Sequence, residues 1–482
     1  MASKALGLLA QLILARLLLR VDFGLFGLTL TVATFCRLLE QAGVRDVLIS
    51  RQRAFRTWAN AGFWLSLASG VVAGGLMVAL APWAARFYTT DDPARLIQLI
   101  TLMAITSPLS ALATVPAARL QIQMRFRAIA SVEVAATAAD AACKVALAWL
   151  GFGALSFVLA SVLAAILRLA AVWTLAPVRL RWTCQLRRWK YLVRNGAMVV
   201  VATFCYVLIG QGDYIVLGHF ASPEVVGVYF LAFNFSMHTI TLLTVNLSRV
   251  LLPALSQLAR EPQRQLAAFV RASRTLALVA IPLCFGQAAV AGPVVRLLFQ
   301  ERWYGAIPLI QLLSVGMALR TVSWPTVSLM QAQGRFRARM LLSIASVLIF
   351  FPLIVGGYRA GGVLGVALAV AGFYVGVTLT NIYLALISSP HPWSDMAHIC
   401  VRPIVLSALT LCAALLLGAA IARQLPASAA ADLLQVIVTV VVSMALYVPL
   451  VRRLDAEPWR EAIGQLARLS PGPLKGLLAM MA

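Results

Sequence analysis

The stretch Gln123-Met-Arg-Phe-Arg-Ala128 recurs later in the chain as Gln333-Gly-Arg-Phe-Arg-Ala338, and this repetition decides how the rest of the sequence is organised. Each copy follows an apolar segment that contains a proline, Pro116 in the first case and Pro325 in the second. Three further features recur in the same order at a nearly constant offset: residues 22–26 with 224–229, Pro82 with Pro293, and Gly151 and Gly153 with Gly361 and Gly362. The sequence therefore predicts two copies of one structural unit.

The composition indicates that both copies lie in a membrane. Apolar residues make up 62% of the 482 residues, charged residues only 12%, and the mean hydropathy is +0.91. A soluble chain has about 45–50% apolar and about 25% charged residues. A water-soluble protein with the present composition would have too few charged residues to cover its surface. The chain is predicted to be a multi-pass membrane protein, which excludes most classes of soluble enzyme.

The sequence contains no motif for bound metals or nucleotides. Its seven cysteines are scattered without a Cys-x-x-Cys pair, which argues against a disulfide framework or a zinc site. It has no P-loop, no Gly-x-Ser-x-Gly and no His-Glu-x-x-His motif. We expect no metal, no cofactor and no enzymatic activity.

A helix that crosses a bilayer needs about 20 mostly apolar residues. Charged residues, prolines and glycines mark the ends of such stretches in this sequence. They number fourteen and lie near 4–20, 24–42, 59–82, 96–118, 128–150, 152–176, 194–219, 225–250, 270–292, 306–330, 338–357, 361–388, 399–422 and 431–451. The predicted fold class is an all-α polytopic membrane protein with about 14 transmembrane helices.

The repeat divides these spans into domains. Residues 1–176 form the first six-helix lobe, 177–193 a cytoplasmic amphipathic linker and 194–388 the second six-helix lobe. Residues 389–455 add the last two spans, and 456–482 form an amphipathic cytoplasmic tail. An even number of spans separates the copies, so the repeats are parallel and related by an axis along the membrane normal. Two such bundles that rock about a central site form the architecture of an alternating-access transporter.

The charge distribution predicts the orientation. The chain has 40 Lys and Arg against 16 Asp and Glu, a formal charge of +24. The basic residues concentrate in alternate loops, for example at 51–56, 187–190 and 335–339, as expected for loops on the cytoplasmic side. Both termini are therefore predicted to be cytoplasmic. The excess of positive charge is better explained by membrane topology than by binding to nucleic acid.

Several segments resemble a known transporter family. Leu14-Ala-Arg16-Leu-Leu18 and Asp22-Phe-Gly24-Leu-Phe-Gly-Leu28 are similar to the opening of Wzx-type polysaccharide (O-antigen) flippases of the multidrug/oligosaccharidyl-lipid/polysaccharide (MOP) exporter superfamily. Asp213-Tyr-Ile-Val-Leu-Gly218 and Leu247-Ser-Arg249-Val-Leu-Leu-Pro253 resemble the start of its second lobe. The first loop departs from the family, because Leu19, Arg20 and Val21 stand where Gly-Pro-Glu is usual.

The resemblance implies a function. Members of this family carry polyprenyl-diphosphate-linked oligosaccharide from the cytoplasmic to the periplasmic leaflet of the bacterial inner membrane. The implied partners are this lipid-linked substrate, membrane lipids, and the polysaccharide polymerase and export machinery. A small-molecule or multidrug exporter of the same superfamily remains the alternative. A membrane polysaccharide polymerase is a weaker one, because every predicted periplasmic loop is short.

Charges inside spans are costly and are candidates for function by default. A diphosphate needs fixed positive charge, and the candidates for substrate binding are Arg16, Arg37, Lys144 and Arg320. The buried acids that could couple transport to an ion gradient are Glu133, Asp140 and Asp213.

Each candidate also has a structural interpretation. Asp140 and Lys144 lie four residues apart and can neutralise each other on a helix. Arg37 can pair with Glu40, and Arg16 can contact lipid headgroups. Arg320 lies in mid-span beside Thr321 with no acidic residue within a helical turn, which favours an anion contact.

Overall fold

The structure is a computed structural model that describes residues 2–40, 44–45, 48, 55–178, 186–258, 260–387, 389–424 and 428–454. The described chain is helical and divides into two compact units, residues 1–230 and 231–482. Two predicted segments lie largely or wholly outside the described residues: the first part of the linker, at 179–185, and the amphipathic tail, at 455–482.

Among the residues that the structure describes, eight long helices and the start of a ninth build the first unit. They are α1 (Ala2–Leu17), α2 (Arg20–Glu40), α3 (Phe55–Phe87), α4 (Pro93–Ala104), α5 (Thr106–Ile122), α6 (Phe126–Trp149), α7 (Leu155–Leu175), α8 (Leu186–Phe220) and α9 (Pro223–Gln257). Helix α8 runs without interruption from the amphipathic stretch of the predicted linker into the following span. The boundary between the two units falls inside α9.

The second unit continues α9 and, over its described part, adds seven α-helices. They are α10 (Pro262–Leu298), α11 (Ala306–Gly316), α12 (Arg320–Ala332), α13 (Phe336–Leu386), α14 (Pro392–Met396), α15 (Arg402–Gln424) and α16 (Ala429–Leu454). A short 3-10 turn, Glu301–Trp303, precedes α11, and a π-turn, Ala397–Val401, joins α14 to α15. Helix α13 contains non-helical residues at Gly361 and Gly362, so it comprises two helices joined by a kink.

The prediction of a polytopic all-α membrane protein is confirmed. Within the described residues, nine helical stretches are long and apolar enough to cross a membrane, and one of them contains the kinked pair in α13. Helices also cover the remaining predicted spans, but the count of fourteen stays a prediction. The first span is short in the structure as well, because α1 has 16 residues.

One membrane-spanning segment in each unit is interrupted near its middle. In the first unit α4 ends at Ala104 and α5 begins at Thr106. Pro108 has no N–H to donate to the carbonyl of Ala104, which explains the break. Gly74 on α3 allows the close approach, since a Cβ there would lie 3.1 Å from the Ala104 oxygen.

In the second unit a similar break separates α11 from α12 at residues 317–319. There the backbone N–H groups of Ala318 and Arg320 each donate to the carbonyl three residues earlier in the chain. Gly316 permits this turn to pack on α13, because a Cβ on Gly316 would lie 2.1 Å from the Cβ of Ala371. Both breaks lie upstream of the prolines of the repeat, but not at matched positions: residue 105 is 11 residues before Pro116, and residues 317–319 are 6–8 residues before Pro325.

The last two spans pack on the second unit. Arg296 on α10 binds Asp432 on α16, with 2.7 Å between Nη2 and Oδ1, and its Nη2 also donates to Oε1 of Gln435 at 3.3 Å. Tyr447 donates its hydroxyl to the carbonyl of Leu278 at 2.8 Å. Helices α15 and α16 are therefore part of this unit and not a separate appendage.

Candidate functional site

Lys144 and Asp140 form an ion pair on α6, with Nζ 2.6 Å from Oδ2. Both side chains are largely covered, with 17% and 23% of their area exposed. The ammonium also lies 6.0 Å from the ring centroid of Phe26 and 5.9 Å from that of Phe157, and these two rings stack on each other. The structure therefore brings together a substrate-binding candidate and an ion-coupling candidate in one locally neutral, aromatic-lined cluster.

Glu133 pairs with Arg168 across the contact between α6 and α7, with 2.8 Å between Oε2 and Nη2. About half of each side chain is exposed, 50% for Glu133 and 47% for Arg168. Sequence reasoning missed this partner of Glu133, because it lies 35 residues away in the chain.

Arg37 contacts the interrupted helix. Its Nη2 donates to the hydroxyl oxygen of Thr106, the first residue of α5, at 2.9 Å. The expected pairing of Arg37 with Glu40 cannot be described, because the side chain of Glu40 lies outside the described residues. Arg16 is exposed in the last turn of α1, where the helix dipole favours a cation.

Asp213 is buried in α8 with 2% of its area exposed. Its Oδ2 accepts a hydrogen bond of 2.8 Å from the hydroxyl of Tyr229, and its Oδ1 accepts one of 2.9 Å from the backbone N–H of Tyr214. The rings of Tyr214 and Tyr229 meet edge to face at 5.6 Å between centroids. The carboxylate therefore lies in an aromatic environment with hydrogen-bond donors directed at it.

Arg320 is the first residue of α12 in the second unit and is half-buried. Its guanidinium carbon lies 4.4 Å from the ring centroid of Tyr374 on α13, within the range of a cation–π contact. Its Nη1 contacts Sδ of Met237 on α9 at 3.4 Å. The prediction from sequence included Arg320 but missed Tyr374, whose position depends on how α13 packs.

Hydroxyl and amide groups on helices α9 to α13 of the second unit form hydrogen bonds with one another. Ser323 and Thr378 share a hydrogen bond of 3.0 Å, and Ser314 donates to Ser236 at 3.2 Å. Thr239 donates to the side-chain oxygen of Gln287 at 2.6 Å. The second unit thus contains a polar and aromatic interior beside a cation.

Each interrupted helix has a local hydroxyl bond at its break. The hydroxyl of Thr106 donates to the carbonyl of Met103 at 2.6 Å, and that of Thr321 donates to the carbonyl of Ala318 at 2.7 Å. A guanidinium accompanies both breaks, provided by α2 through Arg37 in the first unit and by Arg320 of the broken helix itself in the second.

Asp22 is a functional candidate that reasoning from sequence did not select. Its Oδ1 accepts from the backbone N–H of Ala154 at 2.8 Å and lies 3.8 Å from Nη2 of Arg95, and its Oδ2 accepts from the N–H of Leu19 at 3.0 Å. One carboxylate thus joins the loops before α2 and α7 to the first turn of α4. The sequence feature that could have identified Asp22 is its position in the repeated segment 22–26.

The relatives of this chain act in polysaccharide biosynthesis, as their names state. The teichuronic acid biosynthesis protein TuaB of Bacillus subtilis is 24% identical over 353 residues, which are 71% of this chain and 72% of TuaB. The lipopolysaccharide biosynthesis protein WzxC of Escherichia coli is 25% identical over 365 residues, 75% of this chain and 74% of WzxC.

Solved structures establish the fold. The lipid II flippase MurJ in an inward closed conformation matches with a TM-score of 0.75 and 13% identity, over 94% of this chain and 97% of that chain. A multidrug resistance MATE family transporter of the MOP superfamily matches with a TM-score of 0.64 and 14% identity, over 83% of this chain and 96% of that chain. Both are transporters, as their titles state.

The resemblance to polysaccharide flippases is confirmed by a family model. This model, described as polysaccharide biosynthesis protein, matches residues 13–308, more than half of the chain and most of the first predicted repeat and the start of the second. The chain therefore belongs to the polysaccharide biosynthesis protein family.

Proposed function

We propose that this protein is an alternating-access flippase that moves polyprenyl-diphosphate-linked oligosaccharide from the cytoplasmic to the periplasmic leaflet of the bacterial inner membrane. Membership of the polysaccharide biosynthesis family and the fold shared with MurJ support the proposal. Both termini are cytoplasmic in this proposal, in accord with the distribution of Lys and Arg. The moving lobes are residues 1–176 and 194–388, and the exported glycan passes to a polysaccharide polymerase and export machinery.

The observation that carries the proposal is a guanidinium at the interrupted helix of each unit. Arg37 contacts the first residue of α5, and Arg320 is the first residue of α12. A charged side chain inside a membrane span is costly and is a candidate for contact with substrate or with another charge. In transporters, interrupted helices near the middle of the bilayer commonly form the substrate site. The diphosphate of a lipid-linked oligosaccharide is an anion that a guanidinium can bind.

The polar interior of the second unit suits the glycan. Sugar hydroxyls both donate and accept hydrogen bonds, and hydroxyl groups such as those of Ser323 and Thr378 do the same. The ring of Tyr374 adds an apolar face beside them. Asp213, Asp140 and Glu133 are the groups that we propose for coupling to an ion gradient, with Asp213 favoured because it is the most buried of the three.

The proposal is tested in a deletion strain of the native host by measuring surface polysaccharide and polyprenyl-linked intermediates together. We expect complete repeat units to accumulate on the cytoplasmic leaflet and surface polymer to disappear. Single repeats at the surface would instead indicate a polymerase. An unchanged glycan profile would overturn the proposal and favour the small-molecule exporter, the alternative suggested by the fold shared with the MATE transporter.

Complementation of this strain tests the proposed anion contacts. Arg37→Ala and Arg320→Ala should accumulate normally yet restore less than about a tenth of the polymer, the effect of losing roughly 1.4 kcal/mol of binding. Arg264→Ala is the matched control, because Arg264 is exposed and pairs locally with Glu261. Full restoration by both site variants would remove Arg37 and Arg320 from the site.

A further inference from the structure

Three helices of the first unit, α2, α3 and α8, enclose an apolar cavity of about 210 Å³. Its α3 wall extends over seven positions, from residue 80 to residue 87, and seven residues of helix rise by about 10 Å. The cavity is therefore elongated along the helices. We name it the apolar slot and define it by the side chains of Val32, Phe35, Leu80, Trp83, Phe87 and Ile215.

The apolar slot opens at the surface of the first unit. Trp83 has 61% of its area exposed, and Val32, Phe35 and Leu80 are half-buried. The α3 wall belongs to the helical stretch 57–87, which is long and apolar enough to cross a membrane. The predicted topology puts the end of α3 on the periplasmic side. The slot therefore faces the outer half of the bilayer.

The lining of the slot suits hydrocarbon better than water. The indole N–H of Trp83 and the hydroxyl of Tyr88 are the polar groups that the lining side chains carry. An apolar cavity of about 150 Å³ stays dry and binds benzene. By that measure, the 210 Å³ of the slot accommodates roughly eight carbon atoms, between one and two isoprene units. In a membrane, the available ligand of this kind is the chain of a lipid.

The aromatic walls favour an isoprenoid chain over a straight acyl chain. Half of the lining residues are aromatic, namely Phe35, Trp83, Phe87 and Tyr88. The ring of Phe35 also meets that of Phe204 on α8 edge to face, with 6.1 Å between centroids. Flat rings pack closely on flat, methyl-branched isoprene units, whereas a straight chain is narrower and leaves gaps that close packing disfavours.

The outer end of the slot provides an interfacial aromatic stack and a cation. Trp83 stacks on Phe87 with 5.2 Å between ring centroids, and Phe87 stacks on His219 of α8 with 4.6 Å. Aromatic residues of this kind are enriched at the level of lipid head groups. Arg86 is exposed in the last turn of α3, three residues after Trp83, so the two are neighbours on the helix. Its guanidinium can bind the phosphate of a lipid whose chain enters the slot.

We propose that the apolar slot binds the tail of a polyprenyl-diphosphate lipid in the periplasmic leaflet, with Arg86 at the diphosphate. The inference rests on the proposed function, which delivers such a lipid to this leaflet, and on the predicted topology. The site holds the lipid against the first unit. It is separate from Arg37 and Arg320, the contacts proposed for transport.

The test is photocrosslinking of the whole chain in phosphatidylcholine nanodiscs. The probe is undecaprenyl diphosphate that carries a diazirine in the isoprene unit next to the diphosphate. We expect adducts in the peptides that contain residues 32–35 and 80–88. Excess unlabelled undecaprenyl diphosphate should suppress these adducts, whereas the same excess of phosphatidylglycerol, an anionic lipid with straight acyl chains, should not.

Two pairs of variants test the residues of the site. Val32→Trp fills the slot and should reduce the adducts by at least about tenfold, because an indole leaves no space for the chain. Val72→Trp is the matched control, since Val72 on α3 is 59% exposed and lies outside the slot. Arg86→Gln should reduce the adducts by about threefold, as for a solvent-exposed ion contact. Arg359→Gln, at an exposed arginine on the same predicted side, should leave them unchanged.

The competition experiment needs only the parent protein, so it decides the inference even if Val32→Trp fails to accumulate. Absence of adducts in the slot, or equal suppression by phosphatidylglycerol, would overturn the isoprenoid site, as would parent-level adducts in a folded Val32→Trp variant. The readout is binding, which separates this inference from the proposed function. Selective adducts together with an unchanged glycan profile in the deletion strain would retain the lipid site and refute the flippase assignment.

Discussion

Met124 and Gly334 occupy the same position of the repeated Gln-x-Arg-Phe-Arg-Ala segment, and both adopt the left-handed backbone conformation. The φ angle is 55° at Met124 and 67° at Gly334. The first copy thus places a side chain where the second copy uses glycine, which alone adopts this conformation without a steric penalty. Met124 is also 71% exposed, so its side chain gains little from packing within the protein.

We therefore expect Met124→Gly to stabilise the protein by about 1 kcal/mol, the usual cost of a left-handed L-residue. The measurement is thermal unfolding in detergent. Gly334→Ala is the complementary variant and should destabilise by a similar amount, since no atom within 4 Å obstructs its methyl group. A lower melting temperature for Met124→Gly would mean that the methionine side chain anchors this loop in the membrane interface.

Gly153→Ala should disrupt the contacts of Asp22. A Cβ on Gly153 would lie 2.5 Å from Nη2 of Arg95 and 2.8 Å from Oδ1 of Asp22, at a φ of 58°. We expect a loss of stability of about 2–3 kcal/mol, from backbone strain together with displacement of a partly buried ion pair.

Gly151→Ala separates these two causes. Gly151 also has a positive φ, 85°, but no atom lies within 4 Å of its Cβ position. It should show the strain alone and unfold at a higher temperature than Gly153→Ala. Equal melting temperatures would show that the Asp22–Arg95 contact adds nothing to stability.

Variants of the Lys144–Asp140 pair distinguish a role in protein stability from a role in transport. Lys144→Met leaves a largely covered carboxylate without its cation, so we expect a loss of about 1–3 kcal/mol and lower accumulation. The double variant Lys144→Met/Asp140→Asn removes both charges and should accumulate at the level of the unmodified protein. Because both residues are candidates for the transport pathway, this double variant should still export poorly.

The exposed pair Arg264–Glu261 provides the control for this experiment. Arg264→Gln/Glu261→Gln should leave accumulation and export unchanged, as expected for a surface ion pair. Normal export by Lys144→Met/Asp140→Asn would assign the pair to structure alone.

Tyr374→Leu should reduce export, because it removes the aromatic face that holds the Arg320 guanidinium at 4.4 Å. A cation–π contact of this kind contributes about 0.5–2 kcal/mol, which corresponds to an effect of about twofold to about thirtyfold. Tyr374→Phe retains the ring and should export nearly normally. Equal export by the two variants would show that the ring does not position Arg320.

Asp213→Asn tests the proposed coupling to an ion gradient in sealed proteoliposomes. The amide keeps an oxygen that can accept from Tyr229, but its NH2 group faces the backbone N–H of Tyr214, so accumulation of the variant is measured beside its transport. The amide cannot lose a proton or bind a cation as a carboxylate does. We expect transport that no longer responds to imposed proton or sodium gradients. Tyr229→Phe keeps the carboxylate and should still respond, whereas gradient-independent transport by the unmodified protein would refute the coupling.

Local features are predictable from the sequence. Asp92 directly precedes Pro93, an order typical of a helix start, and its Oδ1 accepts the N–H of Arg95 at 3.0 Å as a helix cap. The Asp140–Lys144 pair follows from a spacing of four residues on one helix. Such features depend on neighbours in the chain, whose geometry a helix determines.

Other contacts are not predictable, because they depend on the rotation and depth of one helix against another. The ion pair between Glu133 and Arg168 joins two helices, and the sequence does not indicate which cation Glu133 meets. The sequence offers Glu40 as a partner of Arg37, and the structure adds a bond to Thr106, which lies 69 residues away. The span 306–330 is predicted as one helix, and the turn at 317–319 divides it.

By itself, the sequence determined the membrane location, the helical class and the internal repeat, because hydropathy and recurrence are properties of the chain alone. Only the tertiary structure decided which charges are paired and which backbones touch. The contact between Gly24 of α2 and Gly227 of α9 illustrates the reason: the sequence contains the two glycines as matched positions, but nothing in it requires that they meet. Their contact arises because the two helices cross at a point where neither has a side chain.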